Sequence, residues 1–306
     1  MMRKRSIATI LCVLCFPLLA ACSPKEPPPP AKKPSVEKLL IGLIPEQNLF
    51  RQMERYEPLG EYLFRKTGTK ITFKILSRYG NIVDSFKSSG LDGAFFGSFT
   101  YVLAHAKMGV DVLARPVALD NTSTYYGMIF VRNDSRIRTA RDMKGKRFAF
   151  VDKATTAGYL LPLEYFHHHG ISDYRGYLKE AYFTGTHEDA IYDVLNRKAD
   201  IGAAKSTVFQ RLASEDPRIL KELVVLERSP DVPENAIALR KDIDVSVRNL
   251  LKDALLKMNL DPDGRKVLEK FGAQRFIETR NEEYDIIVKY AGDIHLDLAT
   301  YDYMNN

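Results

Sequence analysis

Phe148-Ala149-Phe150-Val151-Asp152-Lys153-Ala154-Thr155-Thr156-Ala157-Gly158-Tyr159 joins an apolar, β-rich run to the start of a helical pattern. The run stops at Asp152, and two hydroxyl residues precede the helix. A turn of this kind points several backbone N–H groups, two hydroxyls and the positive end of a helix at one spot, which suits a tetrahedral oxyanion. The competing reading is a threonine N-cap that only satisfies the orphan N–H groups of its own helix.

Outward from this turn, short apolar strands alternate with helical patterns, which predicts a parallel α/β sheet. Strands are expected at Leu39–Ile44, Ile71–Leu76, Asp92–Phe96, Val112–Val117 and Tyr126–Val131. A second series is expected at Arg147–Val151, Tyr182–Phe183, Asp200–Ala203, Leu223–Leu226 and Ala236–Leu239. Helical patterns fall at Tyr56–Thr67, Ile82–Ser88, Ala157–His169, Glu188–Asn196 and Val247–Asn259. Two series joined near Tyr126–Val131, with a return near Ser229–Ala238, predict two lobes linked by two crossing strands. Such a clamp holds its ligand between the lobes, at the C-terminal ends of the strands.

The first residues indicate where the protein works. Arg3, Lys4 and Arg5 precede the apolar run Ile7–Leu19, as in a secretory signal. Leu19-Ala20-Ala21-Cys22 resembles the lipobox of bacterial lipoproteins, so Cys22 is the expected lipidation site after a signal peptide at 1–21. Residues 22–36, with Pro24, Pro27 to Pro30 and Pro34, read as a lipidated, extended tether. The three cysteines are Cys12, Cys15 and Cys22, so the body of the chain has neither a disulfide nor thiol chemistry. Setting aside the three cations of the signal, 42 basic residues face 39 acidic ones, a balance of +3. No basic stripe for nucleic acid and no zinc-ligand spacing is present. His167-His168-His169 closes a helical pattern just before Gly170, where consecutive side chains diverge and suit a helix C-terminus better than a metal.

Further motifs carry a resemblance. Tyr56-Glu57-Pro58-Leu59 through Lys66-Thr67-Gly68 matches an opening helix of the form P-L-x-x-Y-L-x-x-x-T-G. Tyr79 is followed by Leu91-Asp92-Gly93-Ala94-Phe95-Phe96-Gly97, and Tyr125-Tyr126 leads into the expected crossing strand. Asp152 to Tyr159 with Pro162 parallels D-P-x-S-T-S-G-Y-x-x-P. Gly185-Thr186-His187-Glu188 and Ala199-Asp200-Ile201-Gly202-Ala203 complete the set. In these features, from about Leu39 to Arg240, the chain resembles the PhnD-like periplasmic binding proteins of phosphonate, phosphite and phosphate ABC importers.

The resemblance implies a type II periplasmic-binding-protein fold, with lobe 1 at 37–126 and 235–306 and lobe 2 at 127–234. It further implies a phosphorus oxyanion held by Thr155, Thr156, the backbone N–H of Ala157, His187, Tyr79 and Tyr125. Hydroxyl, amide and imidazole donors suit tetrahedral oxygens in a dry site. Two departures stand out. The S-T-S motif is Thr155-Thr156-Ala157 here, so one hydroxyl is missing. Members that bind aminoalkyl phosphonates place carboxylates at two positions that match Thr207 and Asn235, with Asp231 or Glu234 as alternative sources of the second. A buried ammonium without a carboxylate is costly, so the expected ligand is a small phosphonate, phosphite or phosphate without an ammonium tail.

The expected protein is therefore a lipid-anchored, extracytoplasmic, monomeric binding protein serving an ABC permease and ATPase. It is expected to have no cofactor, no metal and no enzymatic activity, since no nucleophile–base–orienter set is present. A sensor of the same fold that signals to a separate membrane receptor is the alternative.

Overall fold

A computed structural model of the protein describes residues 38–46 and 48–305. Cys22, the signal and the tether lie outside the described residues. Lys38–Leu43 pairs in parallel with Lys70–Ile75 on one side and Gly93–Phe96 on the other. The connecting helix Leu49–Thr67 starts at an Asn48 N-cap, whose side chain accepts the N–H groups of Phe50 and Arg51, and it stops at Gly68 in the left-handed conformation. This unit is the edge of a six-stranded sheet ordered Ala273–Glu278, Asp111–Ala118, Ala236–Leu239, Gly93–Phe96, Lys38–Leu43, Lys70–Ile75. A five-stranded sheet is ordered Leu223–Arg228, Gly127–Arg132, Ile201–Lys205, Arg147–Phe150, Glu180–Phe183.

All ten expected strands are present, with ends within two residues of those read from the sequence. The direction of pairing differs from the expectation, because both sheets are mixed rather than parallel. Ala236–Leu239 runs antiparallel to both of its neighbours, and so does Gly127–Arg132. These are the strands by which the chain enters one sheet from the other. A strand that arrives across the cleft, rather than by a helical crossover from the same sheet, is free of the constraint that keeps β-α-β units parallel. The two crossings lie side by side: Thr124–Tyr125 pairs with Val232–Pro233, joining Tyr125 to Val232 and Thr124 to Pro233.

The helix Ser98–Met108 was not expected from the sequence. Its residues from Ser98 to Ala104 are all buried, so no polar face gives it a helical periodicity. The expected helix Ala157–His169 is a wide π-turn over Thr156–Leu160, followed by an α-helix over Leu161–His168.

Candidate functional site

The turn after Val151 is held in shape by its own groups and by Asn305 near the C-terminus. Asp152 is fully buried; its Oδ1 accepts the N–H of Ala154 at 2.8 Å and its Oδ2 accepts the side-chain amide of Asn305 at 2.8 Å. Burial pushes the Asp152 carboxyl above its usual range, against the pull of these two donors. The Thr155 hydroxyl donates to the carbonyl of Asp152 at 2.6 Å, and neither threonine caps the helix that begins here. The simple N-cap reading therefore fails, and the first N–H groups of the π-turn have no partner within their own helix. Gly158 is required by space: a Cβ there would lie 2.4 Å from Val151 Cβ and 2.8 Å from Thr155 Oγ1.

Opposite this turn stands the start of the helix Ser98–Met108, whose Gly97 N-cap offers no side chain. The Phe99 N–H donates to Thr156 Oγ1 at 2.9 Å, so a residue of the second sheet's turn reaches the helix start of the first. Two helix N-termini thus converge, each with a partial positive charge. Burial raises the pKa of Tyr125, on the crossing ladder, against the pull of Lys205 and of the nearby Thr156 and Ser98 hydroxyls. Tyr79 is 2% exposed, and its hydroxyl has no hydrogen-bond partner. An unpaired buried hydroxyl costs about 1–3 kcal/mol, so Tyr79 holds a donor in reserve at this point. Its ring meets that of His187 edge-on, with centroids 5.9 Å apart.

His187 opens the helix His187–Leu195, with Thr186 as its N-cap. The preceding Gly185 has φ of 86° and donates its N–H to Val151 O at 2.9 Å, which pins this turn beside the first one. Burial lowers the His187 pKa to about 3, only partly offset by the attraction of Glu46. The imidazole is therefore neutral. Its Nδ1 accepts the backbone N–H of Lys205 at 3.4 Å, which leaves Nε2–H as a donor.

Beside these donors lies a charged cluster. Lys205, at the end of Ile201–Lys205, is 2% exposed. Its Nζ meets Glu46 Oε1 at 3.0 Å, Asn235 Oδ1 at 3.0 Å and the carboxylate of Glu234. It also sits 4.6 Å above the centre of the Tyr125 ring. Burial opposes the charge on Glu46, but the Lys205 ammonium outweighs it and holds the carboxyl at about 2. For Lys205 burial is likewise outweighed, by Glu234 and Glu46, and the ammonium is held above its usual range. A cavity of about 510 Å³, bordered by Glu46, Arg55, Thr207, Arg211 and Glu234, opens onto this cluster.

The structure brings Tyr79, Tyr125, Thr155, Thr156, Ala157, His187 and Asn235 into one buried neighbourhood, and places Thr207 on the wall of the adjoining cavity. Thr155 differs in one respect, since its hydroxyl proton is spent on Asp152. Sequence reasoning missed Lys205, Glu46 and the Ser98 helix start. It also passed over the C-terminal residues, where Asn305 holds Asp152 and the Tyr301 hydroxyl donates to Lys153 O at 2.9 Å. Among the described residues no group of three or more His, Cys, Asp or Glu is placed to hold a metal, and no helix is long and apolar enough to cross a membrane.

Over residues 41–284 the chain matches the family described as ABC transporter, phosphonate, periplasmic substrate-binding protein. It is 26% identical over 249 residues to the phosphonates-binding periplasmic protein of Escherichia coli (strain K12), spanning 79% of this chain and 73% of that one. It is 23% identical over 260 residues to the probable ABC transporter phosphite binding protein PhnD1 of Prochlorococcus marinus (strain MIT 9301), spanning 80% and 86%. The solved structure of that PhnD1 in complex with methylphosphonate shares the fold, with a TM-score of 0.75 at 20% identity over 84% of this chain and 98% of that one. The match covers most of the chain and both sheets of a two-lobed fold. The chain belongs to the periplasmic substrate-binding proteins of phosphonate ABC transporters, and as such is a binding component rather than an enzyme.

Proposed function

We propose that the chain captures a small phosphorus oxyanion without an ammonium tail (a phosphonate, phosphite or phosphate) and presents it to an ABC permease. The observation that carries this reading is that two helix starts, neither capped by its own side chains, meet through the Phe99 N–H and Thr156, in the same buried cluster as Tyr79 and its unpaired hydroxyl. In this reading the oxyanion takes the Phe99 N–H now given to Thr156, together with the N–H groups of Thr156 and Ala157. Tyr79, Tyr125, the Thr156 hydroxyl and the Nε2–H of neutral His187 complete the shell. The names of the two relatives, phosphonates-binding and phosphite binding, support a ligand of this class.

The lobes of the clamp are 37–126 with 235–306, and 127–234, and the paired crossings at Thr124–Tyr125 and Val232–Pro233 are its hinge. The chain is tied to the extracytoplasmic face of a membrane through lipid on Cys22. A ligand present at about a hundred times its Kd adds roughly 2.7 kcal/mol, a shift of several degrees in Tm. Thermal shifts with phosphite, phosphate and methylphosphonate, and none with sulfate, are the expected result. No shift with any phosphorus oxyanion would remove the reading.

A further inference from the structure

Resting on that reading of the site, we infer that Lys205 determines ligand specificity by acting as a resident ammonium: it fills the position between Glu46 and Glu234 that a cationic ligand tail would otherwise occupy. A buried lysine carries a large desolvation cost before its partners offset it, and this one is surrounded by groups that coordinate an ammonium. Two carboxylates and the Asn235 amide oxygen approach Nζ, and the Tyr125 ring lies beneath it. The same tyrosine borders both ends of the site: the Thr156 and Ser98 hydroxyls act on its own hydroxyl, and its ring lies beneath the Lys205 ammonium. Asn235 adds a second connection. Its Oδ1 bonds Lys205 Nζ and lies 3.6 Å from where a Cβ on Gly97 would stand, at the N-cap of the Ser98 helix. A substituent on a phosphorus held by these helix starts is thus one tyrosine side chain away from a fixed positive charge.

A purely structural role for Lys205 is the competing explanation, since its ion pairs join the second sheet to Glu46 beyond the first strand and to Glu234 on the return crossing. That role predicts lost stability on substitution, but no change in the order of ligand preference. The discriminating pair is 2-aminoethylphosphonate and n-propylphosphonate, which match in length and differ in an ammonium for a methyl group.

The test is calorimetric titration of the full chain with these two ligands and with methylphosphonate, for wild type and Lys205→Ala. Wild type should bind methylphosphonate and should disfavour the amine against its propyl counterpart by at least about tenfold, as expected for like charges in a dry site. Lys205→Ala leaves two carboxylates and the space of an ammonium, so the order should invert, with the amine gaining about a hundredfold relative to the propyl compound. Should the variant fold poorly without ligand, its Tm should rise with the amine and not with the propyl compound. Equal or tighter amine binding by wild type, or a folded Lys205→Ala with the wild-type order, would overturn the inference while leaving the oxyanion reading intact. Absence of methylphosphonate, phosphite and phosphate binding would overturn both.

Discussion

The two ends of the cleft use polar groups in opposite ways. Around Thr156, Tyr79 and the Ser98 helix start, donors are buried without full satisfaction, and the Tyr79 hydroxyl has no partner. Around Lys205 the charges are already matched by two carboxylates, an amide and an aromatic face. One end keeps a hydroxyl with nothing to bond, whereas at the other the Lys205 ammonium is matched, although Glu234 Oε2 and Arg211 Nη2 beside it still lack partners. Removal of a donor side chain should therefore weaken binding and spare the unliganded fold, whereas substitutions at the charged end should cost stability first.

The largest effect is expected at the charged end. Lys205→Ala strands Glu46 and Glu234 in a buried place and should cost about 3–5 kcal/mol in chemical denaturation. Neutralising all three positions together, as Lys205→Met with Glu46→Gln and Glu234→Gln, should recover most of that loss. A loss as large in the triple variant would mean that packing, not unpaired charge, sets the stability of this end. Next is Gly158→Ala. The added methyl would stand 2.4 Å from Val151 Cβ, so the turn must deform, at about 3 kcal/mol. This variant should damage both stability and binding, because at the donor end the backbone itself is the binding group.

Tyr79→Phe separates binding from stability at the donor end. It removes a hydroxyl that bonds nothing in the protein, so the unliganded Tm should be unchanged or higher. Affinity for the oxyanion should fall about tenfold, the worth of one hydrogen bond to a charged group. A drop in unliganded stability without a drop in affinity would reverse the assignment of this end.

A pH-dependent effect concerns His187, which touches both ends. Its folded-state pKa of about 3 lies below the ordinary 6.5. Below pH 6.5 the unfolded chain gains a proton there that the folded chain refuses. Stability from this group is thus complete above pH 6.5 and is lost progressively as the pH falls toward 3. The folded-state value of about 2 for Glu46, against 4.5, adds a loss that begins only below pH 4.5. Between pH 6.5 and 4.5 the Tm of His187→Gln should therefore fall less steeply than that of wild type. Parallel profiles would show that His187 takes up its proton without penalty.

The fold and the donor end were largely legible in the sequence, and the charged end was not. The strand–turn–helix at 148–159 is a local pattern, and Tyr79, Tyr125 and His187 each sit beside a turn that the chain itself specifies. Glu46 and Lys205 are 159 positions apart, and each looks like an ordinary surface charge until the two sheets come together. Glu234 was legible only as one alternative among neighbouring acids. The Ser98–Met108 helix escaped because burial on all sides erases the periodicity by which helices are read. The mixed direction of the sheets follows from how the chain crosses the cleft, which the strand patterns alone do not encode.

Calorimetric titration of methylphosphonate and phosphite into wild type and Tyr79→Phe, with the unliganded Tm of each recorded alongside, decides whether the unpaired donors hold an oxyanion. One-to-one binding by wild type, weakened about tenfold in a variant of equal or greater unliganded stability, is the predicted result. Absence of binding to wild type, or equal affinity in the two proteins, would contradict the assignment of the unpaired donors to an oxyanion.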